Sequence, residues 1–137
     1  MNLDEIKIFK AELKLLTVLE RQYTIALQDI EYINYQMRGV RGIDPSKEPH
    51  HGEFIEMKNV LIPIKEIKQR KADEYKKRID QCYFLLGLCS EEMQGILMDI
   101  YVTGIPTAEV AEKHYMSEST LKRRIIEQLL NLKTTIN

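Results

Sequence analysis

The chain has 137 residues, 44% of them hydrophobic and 30% charged, with a formal net charge of −1. That suits one domain or two small ones of a soluble helical protein, and no apolar run is long enough for a membrane span. The opening MNLDEIKIFK places acidic residues where a secretory leader needs an apolar core, so the expected location is the cytoplasm.

From about Asn2 to Arg38 no Pro or Gly interrupts the chain. Ile6, Phe9, Leu13, Leu16, Tyr23, Leu27, Ile30 and Met37 follow alternating steps of three and four, with Glu20 and Asn34 at the two positions that break the pattern. This predicts one long amphipathic helix with a coiled-coil-like stripe. Leu3, Leu15, Leu19, Ile25 and Ile33 widen the stripe, so the helix should meet more than one neighbour. The neighbour is either a second helix of the same chain or another copy in a homo-oligomer.

GVRGIDPSKEPHHG, residues 39–52, is expected to break the helix, because Gly39, Gly42, Pro45, Pro49 and Gly52 oppose helical continuation. Arg38, Arg41, Lys47, His50 and His51 give this stretch a phosphate-binding reading, and a plain connector is the simpler one. Residues 54–62 suggest a short helix, with Pro63 in the first turn of the next. Ile64, Ile67, Ala72, Tyr75, Ile79, Tyr83 and Leu86 then mark a second long helix, expected to run antiparallel to the first. Its lysines and arginines, from Lys65 to Arg78, alternate with Glu66, Asp73, Glu74 and Asp80, the pattern of a solvated, ion-paired face.

Cys82 and Cys89 fit neither a CxxC redox pair nor a zinc site, and buried reduced thiols are expected. His50 and His51 have no further ligand at metal-binding spacing. Asp44 and Glu48 share their loop, but turn-forming residues account for it. No Gly-rich phosphate loop, nucleophile elbow or HExxH occurs. The sequence therefore predicts no enzyme, no metal and no cofactor.

The last third, SEEMQGILMDIYVTGIPTAEVAEKHYMSESTLKRRIIEQLLNL, carries three short amphipathic segments. Ser90 can cap the first, with Met93, Ile96, Leu97, Ile100 and Tyr101 on its apolar side. Gly104-Ile105-Pro106 ends it. Thr107 to His114 forms the second, where Ala111 lets another helix cross closely. His114-Tyr115-Met116 makes the turn, and Ser117 is placed to cap the third segment. That segment buries Leu121, Ile125, Leu129 and Leu132 and turns Ser119, Lys122, Arg123 and Glu127 outward. Short polar and basic side chains near a helix N-terminus are what reading a DNA major groove requires. A three-helix bundle with a coincidental cap would share much of this pattern, though not the small residue, short turn and basic face together.

GIPTAEVAEKHYMSESTLKRRI resembles region four of bacterial sigma factors, and the layout of the whole chain is similar to phage late-transcription activators of the RinA/ArpU type. Two positions depart from the pattern: Tyr115 stands where such turns often have Gly, and Pro106 replaces the usual hydroxyl residue. The resemblance implies an all-α chain. A long antiparallel helical hairpin, residues 1–88, would precede a three-helix helix-turn-helix module, residues 89–137. It implies a sequence-specific transcriptional regulator in a bacterial host cell, acting on double-stranded DNA with RNA polymerase. Ser119, Lys122 and Arg123 would contact bases, and Thr107, Ser117, Thr120 and Arg124 the backbone. Two alternatives stand beside it: a module that binds polymerase without specific DNA binding, and a phage DNA-packaging recognition subunit. From Ser90 onward there are five Lys/Arg against seven Asp/Glu, so one copy should hold DNA weakly. Dimerisation or tethering to polymerase would offset that.

Overall fold

The computed structural model describes residues 1–41 and 51–133, with side chains for 1–38 and 57–133. Its elements are α1 (Leu3–Arg41), α2 (His51–Gly87), α3 (Glu91–Leu97), a π-helical stretch (Met98–Thr103), α4 (Thr107–Lys113) and α5 (Glu118–Leu130). No strand occurs among the described residues, so the expected all-α class holds. No helix among them is long and apolar enough to cross a membrane.

Helix α1 begins with a reciprocal cap. The Glu5 amide donates to Asn2 Oδ1 at 2.8 Å, and the Asn2 amide donates to Glu5 Oε1 at 3.2 Å. Two otherwise unpaired amides are satisfied, and the acidic side chains of the first turn suit the positive end of the helix.

The chain divides into two compact units: Met1–Leu19 with Arg78–Asn137, and Glu20–Lys77. In the first, Ile6, Phe9, Leu13, Leu16 and Leu19 of α1 are buried, as are Cys82 and Leu86 of α2, Met93, Ile96 and Leu97 of α3, and Leu121, Ile125 and Leu129 of α5. Arg78 holds Glu12 through two hydrogen bonds of 2.9 and 2.7 Å. This pair is partly exposed, so its contribution is on the order of 1 kcal/mol or less. The Met1 ammonium donates to the Leu132 carbonyl at 2.8 Å, beyond the last turn of α5.

In the second unit Ala26, Ile30 and Ala72 form a small core with Tyr23 packed on it. Alanines at these positions let the two helices approach closely. Lys68 meets Asp29 at 3.1 Å, and Lys65 lines a groove with Asn34, Met37 and Arg38. Partners advance along α2 as they recede along α1, so these segments run antiparallel.

Several expectations change, among them the apolar stripe of α2, where Ile64, Ile67 and Tyr83 are exposed. The buried positions of α1 are 6, 9, 13, 16, 19, 26, 30 and 33. Two successive three-residue steps, Leu13 to Leu16 to Leu19, turn the buried face by one position. Leu27 is therefore exposed and Ala26 buried. Leu19 and Ile33 do pack inside, whereas Leu3, Leu15 and Ile25 face solvent.

Helix reaches into both ends of the expected break at residues 39–52: α1 continues through Gly39 to Arg41 and α2 begins at His51. Residues 42–50, with Asp44, Lys47, Glu48 and His50, lie outside the described residues.

Pro63 does not start a helix but sits inside α2. The ring removes the amide that would bond the Asn59 carbonyl, a cost of about 3 kcal/mol in a helix interior. Pro63 and Asn59 are both exposed, so water can serve the freed carbonyl and the helix persists.

Candidate nucleic-acid interface

The C-terminal helices owe their geometry to local hydrogen bonds. Ser90 Oγ accepts from the Met93 amide at 3.2 Å, capping α3 as its sequence position predicts. Met98–Thr103 is wider than an α-helix and ends at Gly104, whose φ of 84° glycine adopts without a Cβ penalty. The Ile105 amide returns to the Asp99 carbonyl at 2.8 Å. Pro106 then precedes α4 with no side-chain cap.

The turn between α4 and α5 is a Schellman motif. The Met116 amide bonds the Ala111 carbonyl at 3.0 Å, and the Tyr115 amide bonds the Glu112 carbonyl at 3.1 Å. The motif requires a left-handed residue, and Tyr115 supplies it at φ 58°. A non-glycine residue pays about 1–2 kcal/mol for that conformation. Tyr115 is 97% exposed, so packing returns little of the cost. Tyr115→Gly should accordingly raise stability by up to about 1 kcal/mol, the extra freedom of glycine in the unfolded chain offsetting part of the gain. A urea midpoint that falls instead would show that the phenol ring makes a stabilising contact.

Ser117 caps α5. Its Oγ accepts from the Thr120 amide at 3.2 Å, donates to Thr120 Oγ1 at 2.7 Å and lies 3.3 Å from Ser119 Oγ. Three of the side chains assigned to DNA contact therefore form one hydroxyl cluster at a helix N-terminus. Leu121, Ile125 and Leu129 anchor the opposite side, each no more than 2% exposed. Ala111, assigned as the close-packing residue, is 1% exposed, and α4 and α5 pack together.

Lys122 and Arg123 project outward, with side chains 62% and 68% exposed. Each faces a carboxylate one turn away: Lys122 and Glu118 at 3.3 Å, Arg123 and Glu127 at 3.8 Å. Exposed pairs of this kind contribute only a few tenths of a kcal/mol, so a phosphate can displace them. Arg124 stands apart from this face. It is half-buried, with Nη1 4.0 Å from Met116 Sδ in the turn.

Thr107 and Lys122 line one cleft of about 160 Å³ with Lys10, Tyr101, Ile125 and Ile126. Lys10 and Lys14 bring their ammonium nitrogens to 5.8 and 6.0 Å from the centre of the Tyr101 ring. Burial raises the Tyr101 pKa, against the opposing pull of Lys14 and Lys122, and burial lowers that of Lys10. The sequence reading missed Lys10, Lys14 and Tyr101 at this site. Its available signal was the four-residue spacing of the lysines on one helix face.

Cys82 and Cys89 are buried and unbridged, and burial raises the Cys89 pKa. Among the described residues no group of three or more His, Cys, Asp or Glu side chains is placed to hold a metal ion. Compared with family models, curated proteins and solved structures, the chain matches none.

Proposed function

We propose that the protein is a sequence-specific DNA-binding transcriptional regulator of the phage late-gene activator kind, acting with bacterial RNA polymerase. In this reading α1 and α2 form a long helical hairpin, and α3 to α5 form a helix-turn-helix module with α5 as the recognition helix. The observation that carries it is the Schellman turn and Ser117 cap, which lead into a helix with one face buried and Ser119, Lys122 and Arg123 exposed on the other. Ser119, Lys122 and Arg123 meet base edges. Thr107, Ser117 and Thr120 set the register on phosphates, and Arg124 steadies the turn as much as it meets the backbone. Self-association raises the affinity of a weakly charged module. Exposed Leu15, Val18 and Ile25 on α1, at coiled-coil spacing around Gln22, support a second copy as partner.

The test is selection of bound fragments from the source genome, with the mass of the complex measured alongside. Arg123→Ala should then weaken the selected site by roughly 5–150-fold, the equivalent of about 1–3 kcal/mol for one base-reading side chain. Helicity should not change. Unaltered affinity and sequence preference would remove Arg123 from the reading face.

A second reading has its own support. Lys122 and Arg123 are each paired within α5, and acidic residues outnumber basic ones from Ser90 onward. That balance suits a protein partner such as a polymerase subunit. DNA affinity that falls steeply with salt supports the first reading. Polymerase binding with no DNA binding even at low salt supports the second.

A further inference from the structure

Lysines gather around the cleft beside Tyr101. Lys10 and Lys14 lie four residues apart on α1, where like charges repel. Among the described residues, the ion pairs within 4.0 Å include neither lysine. Both nitrogens approach the same aromatic ring. Lys122 joins them, shared with Glu118 at 3.3 Å, and Thr107 adds a hydroxyl. Ile125 and Ile126 wall one side, which reduces screening inside the cleft.

The volume of about 160 Å³ is many times the roughly 10–15 Å³ that one water needs, so a tetrahedral anion fits. Lysine ammoniums are point charges. They suit phosphate, whereas a planar carboxylate is better matched by the arginine fork. Burial lowers the Lys10 pKa, because desolvation disfavours the charged amine.

We propose that this cleft binds a phosphate group, with Lys10 and Lys122 of its lining and Lys14 beside it supplying charge, Thr107 a hydrogen bond and Tyr101 one wall. A phosphate of the DNA backbone and a free phosphate-bearing molecule present the same chemistry. The first source rests on the DNA-binding reading of α5, with Lys122 then serving a phosphate rather than a base edge, whereas the site itself does not.

Titration of the full-length protein with inorganic phosphate, followed by NMR, tests the site. Saturable shifts should centre on Thr107, Tyr101 and the two lysines of α1. Lys10→Gln with Lys14→Gln should weaken them at least tenfold, and Lys10→Arg with Lys14→Arg should restore them. No saturable shift in the natural protein, or equal affinity in the Gln pair at unchanged helicity, would overturn the proposal.

A second arm uses a random-sequence duplex at rising salt. If the backbone fills the cleft, the Gln pair should reduce the slope of log affinity against log salt by about one. An unchanged slope, with phosphate shifts intact, supports the cleft and assigns it to a free phosphate compound. Phosphate shifts in a protein that binds no duplex at all would refute the DNA reading and leave the cleft standing.

Discussion

Leu121→Ala should destabilise the protein by about 2–5 kcal/mol, while Lys122→Ala should change stability by no more than about 0.5 kcal/mol. The two residues are neighbours in sequence and opposites in environment. Leu121 is 0% exposed, so truncation loses transfer energy and leaves a cavity that its packed surroundings fill only in part. Lys122 is 62% exposed, and its contact with Glu118 is solvated. Urea unfolding of both variants measures the contrast directly. Equal effects, or the reverse order, would mean that α5 is rotated about its axis. Ser119 and Arg123 would then leave the outward face with Lys122, and the base-reading assignment would go with them.

A chain lacking residues 1–19 should lose the cooperative unfolding of α3, α4 and α5. The first unit joins Met1–Leu19 to Arg78–Asn137, and Ile6, Phe9, Leu13, Leu16 and Leu19 are all at most 3% exposed. Each such side chain contributes about 1.5–3 kcal/mol on burial. Five of them rival the entire stability of a typical domain, about 5–15 kcal/mol. The cut also uncovers the apolar surfaces that met them. Thermal melting by circular dichroism, with amide dispersion in NMR, decides the matter. A truncated chain that melts sharply and keeps dispersed resonances for α5 would establish that the C-terminal helices stand alone.

The parts of this structure that were legible in sequence are those set by local chemistry. Ser90 and Ser117 cap helices because a serine hydroxyl reaches the amide three residues on. The buried side of α5 followed from the spacing of Leu121, Ile125 and Leu129, whereas Leu132, expected on the same side, lies past the end of the helix and is half-buried. Tyr115 was marked by its place in the turn, and its φ of 58° matches the departure noted there.

What escaped depended on neighbours distant in sequence. The shift from Leu27 to Ala26 arises because small Ala72 accepts a close partner, and no periodic template contains Ala72. The continuity of α2 through Pro63 depends on which side of the helix meets water. The π-helical stretch leaves no pattern that distinguishes it from an α-helical turn. Lys10 and Tyr101 come together only when the first unit closes. The candidate site was thus half visible: its α5 residues could be read from one helix, and its α1 residues could not.

The first unit is built from two stretches separated by the whole of the second. During synthesis, Ile6, Phe9, Leu13 and Leu16 leave the ribosome long before the residues that will cover them. At roughly 5–20 residues per second, that delay lasts several seconds. For that interval the nascent chain carries an uncovered greasy strip, a natural substrate for a holding chaperone. The contiguous stretch from Glu20 to Lys77 can meanwhile pair as it emerges, bringing the two ends of the future core toward each other.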